Sequence, residues 1–343
     1  MAKQKLSIKD IAAQLNISIT TVSFILNGKA KENRISEKLT KKVLSHIEKV
    51  GYQPSQLAQS LRTGKSKILV FMVEDISNYF YSSVARKMEE KAFSSGYKII
   101  YCSTDDDIKR AQELIQVFKG RQVDGYIITA PEGLEEDIKE MVEIGLPVVL
   151  FDRYFPDLNI SHVVINNSDA TYTAINELIG NGFKNIGFVT LDSQQTQMVD
   201  RYKGYDKAIR EHNLTNYTKA IPYQDIGTER IEQNIRKFVE EEYPELDALF
   251  FATNYLTISG LAALKSLDKV IPEDMAIIAF DDNDLFKLYS PPISAIAQPV
   301  EEMSIKLMEM ILDQLQGNME VKKVELPVQY INRGSSTIQK KVY

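Results

Sequence analysis

The side chains in this sequence that could do chemistry are polar residues that follow short apolar runs. Asp152 and Arg153 follow Pro147–Phe151, and a loop after Asn185–Thr190 leads to Arg201. Asn254 follows Ala248–Ala252, Asp281 and Asp282 follow Met275–Phe280, and Gln298 follows Ser294–Ala297. The run Ile68–Val73 leads into Ile76-Ser-Asn-Tyr-Phe-Tyr81, which carries Asn78, Phe80 and Tyr81. Carboxylates accept from adjacent hydroxyls, arginines donate in a fixed fork, and amides do both. Aromatic rings pack on apolar C–H faces. Together these suit a polyhydroxylated ligand. Catalysis has no comparable set. His46, His162 and His212 are far apart, and Cys102 is the only cysteine, so neither a nucleophile–base pair nor a metal-ligand spacing is present. Asp105-Asp-Asp107 reads as a solvated loop and helix start, and Glu240-Glu-Glu242 as a solvated run. Thr63-Gly-Lys-Ser66 imitates the end of a phosphate loop. However, Gln59 stands where that loop needs glycine, and a strand follows the motif instead of preceding it. No catalytic residue, metal or cofactor is expected.

The apolar runs themselves read as strands. To those named are added Lys98–Cys102, Gly125–Thr129 and His162–Ile165. Helical patterns such as Ser83–Ser94, Ile108–Lys119, Ala170–Gly180 and Ile258–Leu267 lie between them. Alternating α and β elements with near-continuous apolar strands predict parallel sheets covered on both faces. The strands are too many for one compact sheet, so two doubly wound α/β lobes are expected. Ligands of such sheets bind at the carboxyl ends of the strands, and two lobes can present those ends to each other across a cleft.

The first fifty residues follow a different pattern. Ser7 caps a helix with Asp10 three residues on, and Ile8, Ile11, Ala12 and Leu15 recur at helical spacing until Asn16. Ser18 caps a second helix to Leu26, with Val22, Ile25 and Leu26 inward and Ile19, Thr20, Thr21, Ser23 and Phe24 pointing elsewhere. A third helix runs from Ser36 to about Val50 and stops at Gly51. The chain has 343 residues, enough for two or three domains at ~150 residues each. Its net charge of −6 argues against nucleic acid, but the charge is segregated. Residues 1–65 hold 12 Lys and Arg against 4 Asp and Glu, and the rest hold 29 against 43. A helix-turn-helix in a basic arm is a DNA reader: the second helix enters a major groove, and small residues such as Thr20 and Thr21 let the backbone approach. A plain three-helix packing module is the bland alternative. No apolar stretch approaches the ~20 residues that span a bilayer. The start Met1-Ala-Lys-Gln-Lys5 has no apolar signal region, so no membrane partner is expected and the cytoplasm is the expected location.

Three stretches now resemble the headpiece of the lactose-repressor (LacI/GalR) family: Ser7-Ile-Lys-Asp-Ile-Ala-Ala13, Ile17-Ser-Ile-Thr-Thr-Val-Ser23 and Leu26-Asn-Gly28. Gly51-Tyr-Gln-Pro54 and Leu57-Ala-Gln-Ser-Leu-Arg-Thr-Gly-Lys-Ser66 resemble that family's hinge. Phe24 departs from a frequent Arg, Gln59 from a common Arg, and the loop Lys29–Ile35 is longer than usual, all of which bear on which operator is read. The resemblance implies that Ser18, Ile19, Thr20, Thr21, Ser23, Phe24 and Asn27 face DNA. It also implies that Leu61 from each subunit wedges into the minor groove. Thr20 and Thr21 are the expected base readers with Ile19 nearby, and Lys5, Asn27, Lys29 and Arg34 are candidates for phosphate contact. Residues 67–331 resemble periplasmic sugar-binding proteins, which share this family's effector fold. That likeness implies Phe80 and Tyr81 as stacking rings with Asn78 beside them, and Asp152, Arg153, Arg201, Asn254, Asp281 and Gln298 as a polar clamp. Tyr255 stands where the family usually has Asp.

The expected organisation is a headpiece over residues 1–52, a hinge over 53–66 and a two-lobed effector and dimerisation domain over 67–343. The expected function is a homodimeric regulator, most simply a repressor, of carbohydrate-utilisation genes. Its partners would be double-stranded operator DNA and a small sugar. Asp152 and Asp281 balance Arg153 and Arg201, which favours a neutral monosaccharide over a sugar phosphate or purine; a uronic acid stays open. The tail after Arg333 lacks leucine heptads, so no coiled-coil tetramer is expected. A sugar-modifying enzyme with a DNA-binding arm would need a catalytic base, and a transport receptor would need export. A structural role for single residues also stays open: Asp152–Arg153 as a local ion pair, or Asn254 as a helix cap.

Overall fold

The computed structural model of the protein describes residues 6–52 and 64–337, and its contacts divide the chain into two compact units between Lys67 and Ile68. The expectations for Lys5, for residues 53–63 of the hinge and for Leu61 lie outside the described residues.

The first unit contains helices α1 (Ile8–Leu15), α2 (Ile19–Leu26) and α3 (Glu37–Val50). Each starts where a serine hydroxyl can accept a free backbone N–H: Ser7 from Asp10, Ser18 from Thr21 and Ser36 from Leu39. Asp10 returns the bond by accepting from Ser7 N at 2.8 Å, completing a capping box. Asn16 and Gly51 end α1 and α3 in the left-handed region. Ile11, Ala12, Val22, Ile25 and Val43 form the core. The long loop after Gly28 is compact: Asn33 donates to Lys29 O at 2.9 Å and Ile35 N to Ala30 O at 2.9 Å.

The second unit has two lobes. The first contains β1 (Ile68–Val73), α4 (Tyr79–Ser94), β2 (Lys98–Ser103), α5 (Ile108–Gly120), β3 (Gly125–Ile128), α6 (Glu135–Glu143), β4 (Val148–Phe151) and β5 (His162–Ile165). The second contains α7 (Asn167–Gly180), β6 (Ile186–Leu191), α8 (Thr196–Glu211), β7 (Tyr217–Ile221), α9 (Arg230–Lys237), β8 (Ala248–Phe251), α10 (Asn254–Ser266), β9 (Ala276–Phe280), α11 (Asp284–Leu288) and β10 (Ser294–Ala297). The chain then returns to the first lobe through α12 (Val300–Leu315) and β11 (Lys323–Leu326), and ends in the second with β12 (Gln329–Ile331). The sheets run β11-β5-β4-β3-β1-β2 and β12-β10-β9-β8-β6-β7. All pairs are parallel except β10 with β12. The two orders superimpose strand for strand, so β4 and β9 are equivalent.

Three crossovers join the lobes, at Asn166, at Gln298-Pro299 and at Pro327-Val328. Two of them are tied together: Asn166 N donates to Leu326 O, and Val328 N donates to Asn166 Oδ1, both at 3.2 Å. Three strands have no counterpart in the sequence expectation: β7, β11 and β12. They lie at the sheet edges with partly exposed patterns, so they lack the continuous apolar run of a buried strand. Helices α4, α7 and α10 begin three or four residues earlier than the periodicity suggests. Their first turns face the polar cleft, where the apolar stripe stops.

Gly204 fixes how closely α7 and α8 pack. A Cβ there would lie 2.1 Å from Ser168 O and 2.9 Å from Tyr172 N, and backbone cannot swing aside as a side chain can. Gly204→Ala is expected to destabilise the protein by about 1–3 kcal/mol, read as a lower Tm in calorimetry. An unchanged Tm would show that the helices part freely.

Candidate functional site

Helix α2 buries Val22 and Ile25 and turns its other side outward. Ser18, Ile19, Thr20 and Asn27 are exposed, and Thr21, Ser23 and Phe24 are half-buried. Ile19 is 43% exposed, unusual for an isoleucine with a core beside it. Thr21 Oγ1 lies 2.8 Å from Ser18 Oγ, so Thr21 shares in the cap and Thr20 is the less engaged of the two hydroxyls. Asn27 reaches back to Ser23 Oγ at 3.3 Å.

In the second unit the predicted polar residues collect where the carboxyl ends of the two sheets face each other. Asp152 and Asp281 follow the equivalent strands β4 and β9, and both adopt left-handed backbone, with φ of 69° and 68°. Aspartate tolerates that conformation better than most residues. Tyr81 donates to Asp152 Oδ2 at 3.0 Å, and Gln298 Nε2 donates to Asp281 Oδ1 at 2.6 Å. Asn78 Oδ1 accepts from Phe80 N, which caps α4, and from Asn254 Nδ2 at 2.9 Å across the lobes.

Several roles differ from the sequence expectation. Arg153 does not pair locally with Asp152: its Nη2 donates to Glu74 at 2.9 Å and its Nη1 to Asp106 at 2.8 Å. Arg201 points into the second lobe. It donates to Asn167 Oδ1 at 2.8 Å and Ala252 O at 2.6 Å, and lies 3.5 Å from the centre of the Phe280 ring. Phe80 and Tyr81 are buried and packed on Phe151, with centroids 5.5 and 6.1 Å away. Thr253, not Asn254, caps α10, which leaves the Asn254 amide for the cleft. Asp282 is held by Arg333. Asp105-Asp-Asp107 is a helix start, since Asp107 caps α5. Asp106, however, is drawn inward by Arg153 and by Gln195 of the second lobe, at 2.6 Å. Glu242 is engaged by Lys219 at 2.8 Å. Burial pushes the thiol pKa of half-buried Cys102 up to about 12, which keeps it protonated.

Sequence reasoning missed Glu74, Asp106, Gln195 and Tyr223. The first three follow β1, β2 and β6, so the strand-end rule that found Asp152 would have found them. Tyr223, whose hydroxyl reaches Glu74, follows the missed strand β7. They also correct the charge balance. Glu74, Asp106, Asp152 and Asp281 now stand against Arg153 and Arg201, so carboxylates outnumber guanidiniums. Burial raises the Glu74 carboxyl to about 7 against the opposing pull of Arg153. Burial likewise raises Asp106 and Asp281.

Two cavities open between the lobes. One, of about 320 Å³, is lined by Glu132, Arg153, Tyr154, Phe155, Gln195 and Thr196 among others. The other, of about 730 Å³, is lined by Glu74, Asn78, Tyr79, Tyr223, Asn254 and Tyr255 among others. Of the nine predicted effector residues, Asn78, Arg153 and Asn254 line these cavities. Phe80, Tyr81, Asp152, Arg201, Asp281 and Gln298 line neither. Arg153 Nε and Gln298 Oε1 are buried without a hydrogen-bond partner, a costly state for groups of this polarity.

Known proteins share both units. The sequence profile of bacterial regulatory proteins of the lacI family matches residues 7–55, and that of the periplasmic binding protein-like domain matches residues 175–336. The HTH-type transcriptional regulator RegA of Clostridium saccharobutylicum is 30% identical over 308 residues, covering 89% of this chain and 91% of its own. The ribose operon repressor of Halalkalibacterium halodurans is 26% identical over 328 residues, covering 95% and 96%. The lac repressor dimer, solved bound to operator and the anti-inducer ONPF, has the same fold. Its TM-score is 0.86 at 16% identity, over 98% of this chain and 100% of that one. Among the described residues no helix is long and apolar enough to cross a membrane.

The raised Glu74 pKa links stability to pH. The folded state holds this proton more tightly than the unfolded chain, whose ordinary value is 4.5. The resulting stabilisation is full below that value and is lost as pH rises through about 7. Between about pH 5 and pH 8, wild-type Tm should fall more steeply than that of Glu74→Gln, which keeps a neutral side chain. Parallel Tm profiles would remove Glu74 as the source.

Proposed function

The chain belongs to the lacI family of bacterial regulatory proteins, and from that premise we propose that it is a cytoplasmic, sugar-responsive repressor of carbohydrate-utilisation genes with no catalytic activity of its own. It acts as a homodimer on paired half-sites, because one recognition helix reads too few bases for specific binding. Residues 1–52 form the DNA-binding headpiece, 53–66 the hinge and 67–343 the effector domain. Ile19 and Thr20 on the outward side of α2 read base edges, with Ser18, Thr21, Ser23, Phe24 and Asn27 around them. Leu61 opens the minor groove.

The observation that supports the effector reading is that Asn78, Arg153 and Asn254 line cavities between lobes joined by three crossovers, at strand ends that also carry Asp152 and Asp281. With four carboxylates against two arginines, both arginines already engaged, a neutral sugar is favoured over a phosphorylated ligand. Sugar binding changes the lobe angle, and the crossovers convey that change to the hinge. A coupling of ~1–3 kcal/mol would alter operator affinity several-fold to about a hundredfold.

The test is fluorescence anisotropy on a DNA site selected from a random library, with and without neutral monosaccharides and disaccharides. Thr20→Ala should weaken operator binding about tenfold or more, and Leu61→Ala should weaken it while sugar affinity, read by calorimetry, holds. Unchanged operator affinity in both variants would sink the headpiece assignment. Asn254→Ala, which removes a cleft amide bonded only to Asn78, should lower sugar affinity at least about fivefold at unchanged Tm. Equal sugar affinity would remove Asn254 from the site.

A further inference from the structure

The interlobe space is larger than one sugar ring needs, and its two parts differ in chemistry. The smaller cavity, about 320 Å³, sits near the lower end of the ~300–1,000 Å³ range of small-molecule sites, while the larger, about 730 Å³, lies in its upper half. They adjoin at one buried ion pair: Arg153 lines the smaller, Glu74 lines the larger, and the two groups are 2.9 Å apart. The larger cavity has three tyrosine rings in its wall. Tyr79 is 47% exposed, and Tyr223 and Tyr255 are half-buried. Ile258 beside them is 44% exposed. Flat rings of this kind pack on the C–H faces of a sugar. The amides of Asn78, Gln224, Asn254 and Asn283, a group type that can both donate and accept, line the same cavity. Glu74, Asp75 and Asp105 also line this cavity, and no lysine or arginine does. Glu74 and Asp105 are themselves paired with Arg153 and Arg110, and with no basic side chain in the wall an anionic group finds no cation there to pair with.

Resting on the reading of the cleft as a sugar site, we infer that the larger cavity is a second subsite and that the natural effector is a neutral disaccharide or glycoside. One unit occupies the cavity beside Arg153. The other lies among Tyr79, Tyr223 and Tyr255, with the linkage near the Arg153–Glu74 pair. A lone monosaccharide would leave the tyrosine-lined part to water and forgo its ring contacts. A phosphate on the second unit would lose its hydration without meeting a basic side chain in the cavity wall.

Isothermal titration of the full chain with cellobiose, maltose and lactose, and with glucose and galactose, tests this inference. At least one disaccharide should bind ten times or more tighter than its constituent monosaccharides. Tyr79→Ala and Ile258→Ala change partly exposed side chains, so folding should be retained. Each should lower the disaccharide-to-monosaccharide affinity ratio at least fivefold. Glucose 6-phosphate should bind more weakly than glucose. A monosaccharide that binds as tightly as every disaccharide, with a ratio unmoved in both variants, overturns the second subsite and leaves the sugar cleft standing. Tighter binding of glucose 6-phosphate than of any disaccharide overturns the inference as well. If no neutral sugar binds and none alters operator affinity, the cleft reading fails together with it.

Discussion

Arg153 carries a positive charge at 2% exposure, and Glu74 and Asp106 hold it from two different strand ends. Burying a guanidinium costs several kcal/mol, which only well-placed partners can offset. Here the partners come from β1 and β2, while Arg153 itself follows β4. The first lobe can therefore satisfy this charge only when β1, β2 and β4 are in register. The same carboxylates reach the second lobe, Glu74 through Tyr223 and Asp106 through Gln195. One buried charge thus orders the floor of one lobe and helps set its distance from the other. Its Nε remains unpartnered, which leaves a donor in a place where a hydroxyl-bearing ligand could meet it.

Equivalence between the lobes gives the candidate site two matching sides. Asp152 and Asp281 occupy the same position in two sheets of the same strand order, with nearly the same backbone twist. Asp152 is bonded within its lobe by Tyr81, whereas Asp281 is bonded by Gln298, which lies on a crossover. Rotation of one lobe on the other must act on the geometry at Gln298 and at the Asn166–Val328 tie. The Asn78–Asn254 pair bridges the lobes directly. Amide pairs of this kind are modest in net energy, so a ligand that replaces their bonds can shift the lobe angle without breaking a core.

The central strands and the headpiece helices were legible in the sequence because each announces itself by one dominant force. Val148–Phe151 and Ala248–Phe251 are continuous apolar runs because both faces of their sheets are covered. Ser7, Ser18 and Ser36 mark helix starts because a cap needs a short side-chain acceptor. Edge strands such as Lys323–Leu326 are half solvated and carry no such pattern. The candidate site was legible only as a neighbourhood, since strand ends in a parallel sheet converge. The partners were not legible. Nothing near Arg153 in sequence indicates that it skips the adjacent Asp152 for Glu74 and Asp106. That choice follows from strand order, which places β1 and β2 on the far side of β3 from β4. Arg201 likewise takes partners distant in sequence, Asn167 and the Ala252 carbonyl.

Charge segregation ties the two units into one function. The −6 total conceals a basic arm and an acidic body. Phosphate contacts from the arm supply affinity that is largely indifferent to sequence. An acidic body opposes such contacts over a range of about a Debye length. In the proposed function, non-specific binding is therefore held down, and stable occupancy depends on base contacts at two half-sites. When net binding is a small difference between these opposed terms, a coupling of ~1–3 kcal/mol is enough to move the protein between bound and free. A more basic body would hold DNA through phosphate contacts whatever the state of the cleft. The acidity that first argued against a DNA-binding role is what would let a small ligand control it.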